Sequence, residues 1–195
     1  MLECYFLFRN LGSKMMDFIL IILAFVLFFI YDKNQISMHV KWLQPAFFLG
    51  CICLVIGVTY AYIHSWNKNV SYWCLAIALV FIGLLIYVLF FALPFSDTYV
   101  SDNKKRVCKT GCYALCRHPG FWMLAGSSLF LALSVHSWHM LMVSIVTNIG
   151  NFAYIYYQDC ITFPDQFVDY EEYKREVPFL IFTFDSIKQC IRTWR

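Results

Sequence analysis

Charge is what this sequence has least of. Asp, Glu, Lys and Arg make up only 14% of its 195 residues, where a soluble domain carries about 25%. None of the four occurs in residues 42–67, in 69–96 or in 118–158, the last a run of 41 positions. Hydrophobic residues reach 61% and aromatics 20%. A water-soluble core cannot absorb an apolar excess that arrives in blocks, whereas a bilayer-spanning helix needs about 20 such residues in a row. A lone soluble domain and a disordered chain are thereby excluded. Five prolines and eight glycines exclude a collagen-like repeat. The chain also lacks internal repeats, low-complexity stretches, a Gly-rich phosphate loop, a Ser-His-Asp order and a zinc-binding helix. It reads as an all-α integral membrane protein forming a single domain over 1–195.

Cysteine is present without a pairing pattern. Nine is an odd number, and Cys51 and Cys53 lie inside an apolar run, so reduced thiols are expected in place of a disulfide scaffold. Cys108, Cys112 and Cys116 recur every four residues, which would stack them on one helix face. That spacing matches none of the close ligand pairs of zinc or iron–sulfur sites, and no metal site is expected.

About five transmembrane helices account for the charge-free runs: 17–31, 45–64, 71–95, and a hairpin of 121–135 and 140–158. The turn of that hairpin is the polar cluster His136-Ser137-Trp138-His139. Residues 18–30 follow Arg9 and Lys14 as a signal peptide would. Phe29-Ile30-Tyr31 offers no small-residue cleavage site, so the segment is read as an uncleaved first span with Asp17 and Asp32 at its interfaces. Trp42, Trp66, Trp73 and Trp138 fall near span ends, where an aromatic belt places them. With five spans, the N-terminus, 65–70 and the hairpin turn share one side, which holds three of the 15 basic residues: Arg9, Lys14 and Lys68. The other side holds the remaining twelve. The excess of positive charge on the cytosolic side then predicts the N-terminus outside, with the loop 96–120 and the tail 160–195 in the cytosol.

Those two cytosolic segments hold nearly all the polar chemistry, and because they flank the hairpin they are expected to meet at its mouth. Pro119 suits a first helical turn, so Arg117 and His118 are expected at the N-terminus of the fourth span. There the helix end favours a carboxylate or phosphate. Asp159, which closes the fifth span, is the only acidic residue between Asp102 and Asp165. In the tail, Tyr170, Tyr173 and Val177 recur at helical spacing, and Val177-Pro178 ends that helix. The basic run 104–109 lies beside the membrane, which points to anionic lipid and away from nucleic acid.

The string Gly111-x-Tyr113-x-x-x-Arg117-His118-Pro119-x-Phe121 resembles the signature of the isoprenylcysteine carboxyl methyltransferase and phospholipid methyltransferase group. That signature reads Gly-x-Tyr-x-x-x-Arg-His-Pro-x-Tyr. In the family a transmembrane hairpin, a Glu-Glu pair and a Tyr-x-x-Tyr-x-x-x-Val-Pro tail follow it. Here the tail reads Tyr170-x-x-Tyr173-x-x-x-Val177-Pro178, and counting back puts Gln158 and Asp159 at the acidic pair. The resemblance covers roughly 105–179. It implies methyl transfer from S-adenosylmethionine to a lipid-borne acceptor at the cytosolic membrane face, with loop and tail forming the cofactor site. By resemblance Lys105, Arg106, Val107, Cys108, Tyr113, His118, Pro119, Gly120, Phe121 and Gln158 contact the cofactor. Arg117 and Asp159 are the catalytic pair, and Tyr154 and Trp122 face the acceptor. Aromatic faces favour a sulfonium cation.

Four positions depart from the family pattern. Phe121 replaces Tyr, Met123 a small Gly, Gln158 the first Glu, and Tyr154 the Arg that precedes the acidic pair. A neutral phenol cannot replace a bidentate cation. The implied acceptor is therefore a lipid-anchored group, an amine or headgroup as readily as a prenylcysteine carboxylate. Two other classes remain open. NADPH-dependent sterol and enone reductases share a related Arg-His-Pro element, although Gly120-Phe121-Trp122-Met123 supplies neither their Asn nor their Glu. A catalytically silent membrane scaffold of the same fold is the third.

Overall fold

In a computed structural model of the chain, the described residues are 2–92 and 106–194, with side chains described from residue 15 onward. Among them there is no strand. Five long helices are α1 (Leu2–Lys33), α2 (Ala46–Ser65), α3 (Tyr72–Phe90), α5 (Pro119–Val135) and α6 (Trp138–Tyr157). Short helices follow or intervene: α4 (Cys112–Leu115), α7 (Phe163–Gln166), α8 (Tyr170–Glu176) and α9 (Phe184–Thr193). Wider π-helical turns, Asn34–Met38 and Gln158–Thr162, extend α1 and α6.

Three segments are long and apolar enough to cross a membrane: Met15–Met38, Lys41–Ser65 and Tyr72–Phe90. The first is longer than the predicted 17–31, because α1 has no proline and continues without a break. Helices stand at both predicted hairpin positions, and the turn between them falls at His136, whose φ of 50° is left-handed. Pro119–Val135 is apolar but short. In α6, Ser144, Thr147, Asn148 and Asn151 dilute the apolar character of a 20-residue helix.

The described chain packs as two compact units. The first comprises Met1–Ala78 and Ser128–Tyr154, the second Leu79–Ser127 and Ile155–Arg195. In the first unit α2 turns a seam of small buried residues, Ala46, Gly50, Gly57 and Ala61, towards α1. Small residues let helix backbones approach closely. A Cβ added at Gly50 would lie 2.6 Å from the Phe28 ring. Around that seam Ile21, Phe25, Phe28, Met140, Val143 and Tyr154 form the apolar core.

Asp17 and Asp32, expected at interfaces, are both buried. Asp17 Oδ2 lies 2.6 Å from His139 Nε2, and the Tyr154 hydroxyl donates to Asp32 Oδ1 at 3.1 Å. The reason is long-range: each acid meets a side chain from α6, where a hydrogen-bonding partner offsets the cost of burying it. Both partners stand 122 residues further on, so α1 and α6 run parallel and in register. At the Asp17 end, Ser71 N–H donates to Ser134 O at 2.7 Å, and the Tyr62 and Ser134 hydroxyls lie 3.1 Å apart. The end of α2, the start of α3 and the α5–α6 turn therefore meet there.

In the second unit the tail folds around α8. Tyr170, Tyr173 and Val177 are buried together, with Val107, Phe163 and Phe167 packed against them. The apolar stripe read from the sequence is this face. Val177 leaves the helix with extended backbone, as Pro178 demands.

Candidate functional site

Local sequence explains how the site is built. Gly111 holds φ at +58° with ψ at −130°, a conformation open to glycine, and begins the single turn of α4. Cys116 is extended, and α5 starts at Pro119, whose missing N–H costs nothing in a first turn. Arg117 and His118 are thus held just ahead of a 17-residue helix. Arg117 N–H donates to Pro178 O at 3.0 Å, which ties this loop to the end of the tail.

The wider turn Gln158–Thr162 brings Asp159 inward, and three groups converge on its Oδ1. Tyr170 OH donates to it at 2.7 Å, His118 Nε2 lies at 3.3 Å, and Arg117 Nε lies at 3.1 Å. All these side chains are buried or nearly so. Arg117 Nε is close enough for ion pairing but is not aligned to donate a hydrogen bond. Its guanidinium lies 5.5 Å from the centre of the Phe179 ring. His118 stacks on Phe163 at 5.7 Å and meets the edge of Phe179 at 5.2 Å.

The electrostatics follow from this packing. Burial pushes the Asp159 carboxyl up, but hydrogen bonds from His118 and Tyr170 and the Arg117 charge outweigh it and hold it below the usual carboxylate value. Burial pulls His118 below the ordinary histidine value, with Arg117 adding to the effect against the opposing pull of Asp159. A carboxylate only accepts, so the neutral ring carries its proton on Nε2 and keeps Nδ1 as an acceptor. Burial, reinforced by the Asp159 anion, raises Tyr170 and keeps it a donor.

Around this centre Tyr173 OH donates to Tyr113 O at 2.6 Å, and Tyr113 OH donates to Val88 O at 3.1 Å. Val107 N–H donates to Asp169 Oδ1 at 2.9 Å, fixing the loop against the start of α8. Trp122 Nε1–H donates to Leu180 O at 3.0 Å, and Phe121 meets Trp122 edge-on. Beside the loop an open cleft of about 650 Å³ is lined by Arg106, Lys109, Asp169, Glu171, Glu172 and Arg175. Lys109 is paired with Glu172 at 3.2 Å and Glu176 at 2.9 Å.

The structure therefore brings Arg117, His118 and Asp159 into direct contact, with Gln158, Pro119 and Gly120 their chain neighbours. Arg106 and Val107 meet the start of α8 instead, and Cys108 Sγ lies 3.4 Å from Thr110 Oγ1. Lys105 lies outside the described residues. Tyr154 belongs to the first unit, with its hydroxyl on Asp32 and its ring against Phe28 and Phe29. The cysteine spacing of four does not become a helix face, since α4 is a single turn that begins after Gly111. No cluster able to hold a metal is found among the described residues. Burial pushes the Cys116 thiol up to about 12.

Sequence reasoning missed what Tyr170, Phe163, Phe179 and Asp169 do. The two tyrosines of α8 show only as an apolar stripe, because spacing reveals a buried face without assigning its hydroxyls. No known family model, curated protein or solved structure matches the chain.

Proposed function

We propose that the chain is an integral membrane enzyme that transfers a methyl group from S-adenosylmethionine to a lipid-borne acceptor at the cytosolic face. The observation that carries this reading is the meeting of Arg117-His118 with Asp159. Those residues come from two motifs 41 positions apart, the pair that the family resemblance assigns to one site. The tail motif joins them through Tyr170.

The parallel course of α1 and α6 supports five spans, since an odd number of crossings must separate two parallel helices. α2, α3 and α5 supply three. The positive-charge count then sets the loop and tail in the cytosol.

The residues fit the cofactor in kind. The cleft beside the loop presents both signs of charge, as the amino-acid end of S-adenosylmethionine does, and its size is that of a ligand site. When bound, the cofactor supplies an electrophilic methyl group on a sulfonium. Asp159 stays anionic beside the Arg117 guanidinium, and His118 Nδ1 accepts a proton or hydrogen bond at the mouth of α5. Phe163 and Phe179 keep water from the His118 ring. An in-line displacement needs alignment and dryness above all. The acceptor arrives laterally in the leaflet, as a headgroup, an amine or a prenylcysteine carboxylate; the Tyr154 phenol, which donates to Asp32, supplies no cation for a carboxylate.

The competing reading is a silent scaffold. One observation favours it: Asp159 Oδ1 is already engaged by three groups of the chain itself. Thermal unfolding separates the readings, since only a ligand that binds the native state stabilises it. S-adenosylhomocysteine is expected to raise the midpoint, and NADPH to leave it unchanged. His118→Ala and Asp159→Asn should each weaken the first ligand by about tenfold or more, the scale of a hydrogen bond to a charged group. Stabilisation by NADPH alone points to a reductase. No response to either ligand, with both variants merely less stable, points to the scaffold.

A further inference from the structure

The C-terminal helix α9 carries an apolar stripe that the other described residues leave uncovered. Phe184, Ile187, Ile191 and Trp194 recur at helical spacing, and all are exposed, Phe184 at 86% and Ile191 at 73%. Ile181 and Phe182 continue the exposed apolar surface ahead of the helix. The protein-facing side of α9 is different: Ser186 and Cys190 are buried there. Asp185, Lys188 and Arg192 point away from both. At about 100° per residue, the helix has one side on the protein, an adjacent side bare and apolar, and a third side charged.

Both ends of the segment are tied to the ends of apolar helices. At its start, Trp122 in the first turn of α5 donates Nε1–H to Leu180 O at 3.0 Å and packs on Phe182 at 6.0 Å. At its finish, Gly111 N–H donates to Thr193 Oγ1 at 3.0 Å. A cavity of about 150 Å³ there is lined by Tyr87 of α3's last turn and Phe91 just beyond it, together with Thr193 and Trp194. The helix is thus strung between the start of α5 and the end of α3. A capping box of Thr183 and Ser186 starts it firmly.

From this geometry we infer that α9 is an interfacial helix, lying along the membrane plane with its apolar stripe in the headgroup–acyl boundary of the cytosolic leaflet. The occupant is lipid. A helix strung between two span ends sits at headgroup depth, an apolar face there meets acyl chains, and Lys188 and Arg192 reach anionic headgroups. This rests on the reading of α3 and α5 as membrane-spanning and goes beyond it.

The test reconstitutes the full chain and its Trp194→Phe variant into vesicles of phosphatidylcholine and phosphatidylglycerol. The lipids are brominated either near the top of the acyl chain or near its end, and the difference between the two proteins isolates Trp194 emission. Strong quenching by the shallow bromines and weak quenching by the deep ones is expected. Quenching of Trp194 by aqueous iodide instead, while the other tryptophans respond to the lipids, overturns the proposal and leaves the membrane reading standing. Shielding of Trp194 from both quenchers in a protein that sediments as a dimer assigns the stripe to a second copy and also overturns it. If no tryptophan responds to lipid, the membrane reading itself has failed.

Discussion

Replacing Tyr170 by Phe removes one oxygen atom and little else. The ring is 2% exposed and is packed among Phe163, Phe167 and Tyr173, so the substitution leaves no cavity larger than a hydroxyl. What disappears is a 2.7 Å hydrogen bond to the anionic oxygen of Asp159. A bond to a charged group contributes roughly 1.5–3 kcal/mol, and water cannot replace a donor at a buried site. Stability in detergent, read from chemical unfolding, should fall by that amount at neutral pH. The pH profile should shift as well. Asp159 has a folded pKa below its unfolded one, so its contribution is present above the unfolded value and is lost as pH falls through the folded value. Without the Tyr170 donor the folded value rises and the whole contribution shrinks. On an Asp159→Asn background, the same Tyr170→Phe change should cost much less, since the two side chains are in direct contact. A full-sized loss on both backgrounds, with unaltered pH dependence, refutes the assignment of Tyr170 as the donor that holds Asp159.

Other outcomes follow from the same geometry. His118 has a depressed folded pKa, so the fold excludes its protonated form; stability should decline as pH falls below about 6.5, the unperturbed value, and His118→Gln should flatten that part of the profile. His139→Ala takes one hydrogen-bond partner from a fully buried Asp17 and should cost roughly 1–3 kcal/mol in unfolding measurements. Gly111→Ala meets no steric obstacle but must adopt φ +58°, so a loss of about 1–3 kcal/mol is expected, with faster proteolysis of the α9 segment. The exposed Cys160 should react with impermeant maleimide only from the cytosolic side; labelling from outside in intact cells reverses the proposed orientation.

Much of this was legible because apolar runs and punctuation are local properties. Residues 118–158 are too long for one span and hold one polar cluster near the middle, which is enough to place α5, α6 and their turn. Pro119 and Val177-Pro178 announce a helix start and a helix end by backbone chemistry alone. The burial of Asp17 and Asp32 was not legible, since it depends on His139 and Tyr154 arriving 122 residues later. Asp159 was visible as an isolated acid, but that one of its oxygens would face an Arg, a His and a Tyr depends on the wider turn at Gln158–Thr162. No residue in that turn advertises its geometry.

The matched spacing of the two acid pairs has a consequence for how the chain is made. Asp17 and Asp32 lie 15 residues apart on α1, about 22 Å along a helix rising 1.5 Å per residue. His139 and Tyr154 are in α6, synthesised 122 residues after the acid that each of them meets. Until α6 arrives, a ribosome-bound intermediate holds two carboxylates on α1 without the His139 and Tyr154 side chains that meet them in the folded chain, an arrangement a bilayer tolerates poorly. Chains stopped before residue 139 are therefore expected to be recognised as incomplete and degraded, and α6 is the element whose arrival makes α1 safe to leave in the lipid.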